Sequence, residues 1–193
     1  ISDIYIDIGE IDNALEILNS ITSKSKAINA KISFNTAQIL NIRKDIKKSL
    51  ELYNESLNLY KEIDDQSNIH NTYRLMGLAY INIGDFKNAL KYLEQSIDYF
   101  RAENDILLLI KSLDHTGTIF IHQGQFEKAY DYFNEQYDLS INVDAKAGIH
   151  QALGNMALIN NIKGNNLDAL NKFKELLIVF YHNHKLIDSQ IFM

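Results

Sequence analysis

The chain has 193 residues, 46% hydrophobic and 23% charged, with a net charge of −6, a soluble globular profile rather than a disordered or collagenous one. The acidic balance argues against nucleic acid as a partner, because holding phosphates needs a basic face. No apolar run approaches the ~18–20 residues of a transmembrane helix, no basic-then-apolar leader opens the chain, and without cysteine there is neither a disulfide framework nor a thiolate metal site.

Residues Ile1 to Ile8, ISDIYIDI, alternate apolar and acidic groups, but their place just before Gly9 assigns them to the second half of a helix. Asp12 to about Ser23 follows with Leu15, Ile17, Leu18 and Ile21 on one helical face. Ser25 to Ile42 carries Ile28, Ile32, Ile39 and Ile42, and Asp45 to Ile63 carries Leu50, Tyr53, Leu57 and Tyr60. Lys44, Lys47 and Lys48, the one tight basic cluster, read as a solvated helix start. Asp64 and Asp65 supply a capping aspartate for Gln66 to Ile83, which ends at Gly84. Phe86 to Ala102, Asp105 to Gln123 (ended by Gly124), Phe126 to about Asn142 and Asp144 to Lys163 (ended by Gly164) continue the series. Leu167 to Asn183 is the last full helix, and Leu186 to Met193 begins another. Ile1 is not methionine and both ends fall inside helices, so the chain reads as a piece of a longer protein. The expected repeats are about 1–24 (partial), 25–65, 66–104, 105–143 and 144–184, with a further helix starting over 185–193.

These helices are paired by a period. GDFKNALKYL from Gly84 recurs as GQFEKAYDYF from Gly124 and GNNLDALNKF from Gly164, a step of 40 residues taken twice. One step earlier stands KDIKKSLELY from Lys44, and GEIDNALEIL begins at Gly9. Five copies at a near-constant spacing mark a repeat array of helix pairs, all-α, in which no strand is required.

Seven residues before each late turn glycine stand Gly77, Gly117 and Ala157; five after it stand Ala89, Ala129 and Ala169. Small residues on facing sides let two helices approach closely, with Tyr80, Phe120, Leu93, Phe133 and Phe173 filling the space beside them. On these triplets the whole chain resembles the tetratricopeptide repeat (TPR) family. The 40-residue period, against the 34 typical of that family, resembles its longer-repeat branch, which includes kinesin light chains and bacterial receptors for signalling peptides. A second departure is the small residue expected late in the second helix, here Ser56, Ser96, Gln136 and Leu176. The resemblance implies a right-handed superhelical α-solenoid. The first helix of each pair (A) would line a concave groove, and the second (B) would lie on the convex side.

Taking the residue nine before each turn as groove-facing gives Asn35, Leu75, His115 and Asn155. Neighbouring candidates are Lys31, Gln38, Asn71, Arg74, Leu78, Lys111, Asp114, Thr118, His122, Gln151 and Leu158. An asparagine amide offers donor and acceptor together, so it can hold an extended peptide backbone whatever the side chains. In the longer-repeat relatives asparagine at this place makes such contacts, and Asn35 and Asn155 match. The Lys, Asn and Arg set with which some TPR proteins clamp a carboxylate terminus is not reproduced: Leu78, Thr118 and Leu158 stand where it wants Asn.

Enzyme chemistry finds no pattern. His115 and His122 stand at i, i+7 and His182 and His184 at i, i+2, with no third converging ligand for zinc, and glycines come singly at turns rather than as a phosphate loop. Asp64 with Asp65, and Asp3 with Asp7, read as caps and surface charge. The expectation is a non-catalytic, cytoplasmic scaffold without cofactor that holds a protein or peptide segment. The alternative is a ligand-sensing regulatory part of a larger bacterial signalling or transcription-regulating protein. A third reading is self-association through exposed terminal repeats.

Overall fold

From residue 43 onward the links between helices are three residues long, and the middle residue of each takes a left-handed backbone. These are Lys44 (φ 65°), Asp64 (55°), Gly84 (75°), Asn104 (56°), Gly124 (70°), Asp144 (52°) and Gly164 (78°). Glycine enters this region without steric cost, and Asp and Asn tolerate it better than other side chains. Around Gly84 the amide of Asp85 donates to the carbonyl of Tyr80 at 3.0 Å and that of Gly84 to Ile81 at 2.9 Å. That pair of bonds closes the end of a helix. The residue that completes the stop also begins the next helix. The carboxylates of Asp65, Asp85 and Asp105 accept from the amides of Asn68, Asn88 and Leu108, each at 3.1 Å, satisfying donors a helix start leaves open.

The computed structural model describes the backbone of residues 11–21 and 24–191. Every regular element among them is an α-helix: α1 (Ile11–Ser20), α2 (Lys26–Ile42), α3 (Ile46–Glu62), α4 (Gln66–Asn82), α5 (Phe86–Ala102), α6 (Ile106–His122), α7 (Phe126–Asn142), α8 (Lys146–Ile162) and α9 (Asn166–Ile191). The reading of residues 1–8 as helix lies outside the described residues. Helices α2 to α8 are each 17 residues long, so the 40-residue period divides into two equal halves. One difference from the sequence reading falls at the end, where α9 runs unbroken through the expected stop near 184. His184 and Lys185 stand where Asp64–Asp65 and Asn104–Asp105 turn the chain. That pair offers neither an Asp or Asn for the left-handed position nor a carboxylate for the cap.

The chain divides into two compact bodies, the first through Tyr99 and the second from Phe100 on. In the first, α1 packs on α2, α3 on both α2 and α4, and α2 on α4. Its core holds Phe34, Tyr53, Tyr60, Leu75 and Met76, with Phe34 edge-on to Tyr53 at 6.0 Å and to Tyr60 at 6.4 Å, the arrangement ring quadrupoles prefer. In the second, α7 packs on α6 and α8, α8 on α9, and α6 on α8; Phe133, Leu153, Met156 and Ile159 form its centre. Each such side chain, once buried, contributes about 1.5–3 kcal/mol.

The small residues do what their spacing implies. A Cβ on Gly77 would lie 2.6 Å from Leu93 Cγ, and one on Gly117 would lie 2.7 Å from the Phe133 ring. Late in the B helices, Ser56 and Ser96 are fully buried, and their hydroxyls donate to the carbonyls of Ala30 at 2.9 Å and His70 at 2.8 Å. At the same place Gln136 is also fully buried, but reaches forward, its Nε2 donating to the carbonyl of Gly148 at 3.4 Å. The longer side chain at this place therefore reaches the A helix of the next pair, α8.

The turns give a clean test of backbone strain. A Cβ added at Gly124 would meet nothing within 4 Å, so Gly124→Ala should lower stability by about 1–2 kcal/mol through its left-handed backbone alone. Lys44→Gly should raise stability by a few tenths to about 1 kcal/mol, since relief of strain is partly offset by a freer unfolded chain. Urea midpoints at unchanged m-value would report both.

Candidate functional site

The A helices α2, α4, α6 and α8 carry all the groove candidates, and the packing sorts them. In the first body Asn35, Arg74 and Leu75 are buried, Gln38, Asn71 and Leu78 are half-buried, and Lys31 is exposed. Arg74 Nε and Nη2 both donate to Asn71 Oδ1, at 3.1 and 2.8 Å, which engages the acceptor end of that amide. Burial pulls Arg74 down to about 10, an effect that nearby Tyr53 opposes. Asn82 Nδ2 donates to Asn41 Oδ1 at 2.9 Å, tying α4 to α2. The pair is one step of the repeat apart, a signal present in the sequence but without meaning until the two helices are seen side by side.

In the second body α6 and α8 present one shared face. Lys111, His122, Gln151 and Leu158 are exposed, whereas His115, Thr118 and Asn155 are half-buried. These residues repeat at three- and four-residue steps, so each set follows one side of its helix. Thr118 Oγ1 donates to the backbone carbonyl of Asp114 at 2.9 Å, turning its hydroxyl into its own helix.

Asp114 is the centre of that face. Its side chain is 15% exposed, and Asn155 Nδ2, from α8, donates to its Oδ1 at 3.2 Å. His115 Nδ1 stands 3.8 Å from the other carboxylate oxygen. Burial raises Asp114 to about 6, against a smaller opposing pull from a hydrogen bond with the Gln136 amide of α7. A carboxylate moved this way has lost water without gaining a strong counter-charge, and such groups concentrate at functional sites. The sequence reading placed Asp114 only among the secondary candidates and gave Gln136 no role. What singles Asp114 out is burial beside Asn155 and Gln136, which no local pattern encodes.

Among the described residues no group of three or more His, Cys, Asp or Glu is placed to hold a metal ion, and no helix is long and apolar enough to cross a membrane. The side chains of His182 and His184 lie outside the described residues. A shallow depression of about 250 Å³ between α7 and α8 is lined by Glu127, Tyr130, Asp131, Ile159, Asn160 and Lys163, with Lys163 and Glu127 paired at 2.8 Å on its rim. It shares no residue with the α6–α8 face.

No curated protein matches the chain in sequence. The tetratricopeptide-repeat family profile matches residues 28–102. Among solved structures, aspartyl phosphate phosphatase F from Bacillus subtilis is similar at TM-score 0.81 and 16% identity, over 93% of this chain and 47% of that one. A Rap protein complexed with competence and sporulation factor is similar at TM-score 0.83 and 12% identity, over 92% of this chain and 51% of that one. The chain thus spans about half the length of these two. A kinesin-light-chain-like array of nearly identical TPR-like repeats from Podosopora anserina is similar at TM-score 0.72 and 12% identity, over 95% and 93% of the two chains. Residues 28–102 match the tetratricopeptide-repeat profile, and the same alternation of 17-residue helices and left-handed links continues beyond them, giving the described chain a TPR-like helical-repeat fold.

Proposed function

We propose that the chain is a non-catalytic interaction module that holds a peptide or extended protein segment on the polar face of its A helices. The observation that carries this reading is the α6–α8 face. Exposed Lys111, Gln151 and Leu158 lie on the same two helices as half-buried Asp114, whose carboxyl burial holds above the usual carboxylate range. Asn155 Nδ2 donates to Asp114, and its amide oxygen is the acceptor that a backbone N–H laid across the face would use. The peptide complex named for the similar Rap structure supports the reading by analogy of fold.

Lys111→Ala, Gln151→Ala and Leu158→Ala together remove exposed side chains only, so folding should be unchanged within about 0.5 kcal/mol per site. On an array of immobilised random hexapeptides the intact chain should retain a defined subset, and the triple variant should bind that subset at least about tenfold more weakly, a loss of ~1.4 kcal/mol. Equal binding by the two proteins would remove the face from consideration.

A second reading treats the array as the ligand-sensing part of a larger bacterial signalling or transcription-regulating protein. It draws support from the half-length coverage of the phosphatase and Rap structures. An effector domain encoded beside this segment in its gene is the expected finding, and a gene encoding helical repeats alone would count against it.

A further inference from the structure

The depression between α7 and α8 brings together three side chains whose recognition chemistry is unused. Asn160 of α8 lines it and is only 8% exposed. Its backbone carbonyl accepts from the amide of Asn165 at 2.8 Å, but among the described residues its side-chain amide has no hydrogen-bond partner. Burying an amide without such a bond costs free energy, so this one calls for a partner. Asp131 of α7 lines the same depression and is exposed; among the described residues it makes neither ion pair nor hydrogen bond. Tyr130, half-buried next to it, has no stacked ring, cation or hydroxyl partner among them. Other rings of this body are served: Lys128 lies over Phe120 and Lys172 over Tyr137, each at 5.4 Å. Glu127 is already paired with Lys163, so the charge left uncompensated in the depression is that of Asp131. The 40-residue register shows what is missing. Tyr80 and Phe120 stack on Tyr92 at 5.6 Å and on Tyr132 at 5.4 Å. Their counterparts are Asn160 and Lys172, so an amide stands where two earlier pairs place a ring.

We propose that Tyr130, Asp131 and Asn160 form a seat for one arginine side chain of a partner protein segment. A guanidinium is planar, always charged and rich in N–H donors, so it can lie on a ring while donating to two acceptors. Tyr130 supplies the ring, Asp131 the charge-assisted bond, and the Asn160 amide a neutral acceptor. Lysine, a compact point charge, cannot serve ring, carboxylate and amide together in this way. The size agrees. About 250 Å³ is below the ~300–1,000 Å³ of a small-molecule pocket and suits a single side chain. A second open depression shares Tyr130 and Asp131 and continues along α7 past Glu135 and Asp138, an acidic track for the residues that flank the arginine. The seat shares no residue with the α6–α8 face. It is a second contact surface, and it stands or falls apart from the peptide reading above.

The test uses the full chain and blocked hexapeptides of Gly and Ser carrying one central Arg, Lys or citrulline, the last an uncharged likeness of arginine. The Asn160 side-chain amide, the Asp131 carboxyl carbon and the Tyr130 ring are followed by NMR during titration. The arginine peptide should move all three together, and the citrulline peptide should leave them in place. The lysine peptide should bind at least about threefold more weakly than the arginine peptide. Asp131→Asn changes one exposed side chain and should weaken the arginine peptide about tenfold or more, the scale of a hydrogen bond to a charged group. Asn160→Phe restores the ring that the register places there and should close the seat, with circular dichroism and the urea midpoint reporting an intact fold. Gln151→Ala, on the α6–α8 face, should leave arginine binding unchanged. Equal responses to the arginine and citrulline peptides, or an arginine response that survives Asp131→Asn, would overturn the seat. Equal binding of the lysine and arginine peptides would overturn the assignment to arginine. Movement spread evenly over exposed carboxylates would mark a diffuse counterion and overturn the seat as well.

Discussion

Phe133→Ala is expected to destabilise the second body by about 3–5 kcal/mol, the range for removing a fully buried aromatic ring. Phe133 is fully buried and joins α7 to Ile149, Ala152, Leu153 and Met156 of α8. The informative partner is Gly117, where a Cβ would lie 2.7 Å from two ring atoms of Phe133. Gly117→Ala therefore inserts a methyl into occupied space, a cost of about 1–3 kcal/mol, offset by up to ~1 kcal/mol because alanine favours the helix. Gly154→Ala makes the same chemical change in α8 where nothing lies within 4 Å, and should be neutral or stabilising by up to ~1 kcal/mol. Opposite signs for one substitution in two helices would show that close approach of α6 and α7, rather than helix propensity, requires glycine at 117. Combining Gly117→Ala with Phe133→Leu, which trims the ring to a smaller branched group, should cost less than the sum of the two changes by at least ~0.5 kcal/mol. Urea unfolding of the four proteins checks this, and strict additivity would mean the two residues do not share the space assigned to them.

The Gly117–Phe133 contact was legible in the sequence because both signals are local. A small residue seven before a turn glycine and a large one nine after it fall at fixed offsets in every pair. The turns were legible where glycine marks them and half-hidden where Asp64, Asn104 and Asp144 take the same left-handed backbone. For that reason a 40-residue period was visible and its division into equal 20-residue halves was not. The unbroken α9 reflects the same limit, since His184 and Lys185 sit in register with a turn but lack its chemistry. The candidate site was less legible for a different reason. Helix α8 is covered on one side by its own B helix, α9, and on another by the B helix before it, α7. A phase rule can select the polar stripe without telling which edge of that stripe is overhung. Asn35 and Arg74 obey the rule and are buried, whereas Gln151 and Leu158 obey it and are exposed. The charge at Asp114 depends on Gln136 and on Asn155, which stands 41 residues away, and no single-helix pattern carries it.

Asp114→Asn is expected to make the folded protein more stable at neutral pH, and by an amount that depends on pH. Burial raises Asp114 from the ordinary aspartate value of 3.8 to about 6, so between those values the folded state keeps a proton that the unfolded chain has released. Stability falls with rising pH wherever the folded state holds more protons. The contribution of this group is therefore lost as pH rises from about 4 to about 6, and the penalty is constant above that. Each pKa unit corresponds to about 1.4 kcal/mol, which sets the ionised carboxylate's cost on the order of 3 kcal/mol. Asparagine has nearly the same shape, is neutral throughout, and keeps an oxygen to accept from Asn155, so most of that cost should disappear. The variant should match the intact protein near pH 4 and exceed it by about 2–3 kcal/mol at pH 7–8, read from urea unfolding across the series. A difference that stays flat from pH 4 to 8 would mean that Asp114 is ionised in the folded protein at ordinary carboxylate pH and that its surroundings supply the missing charge.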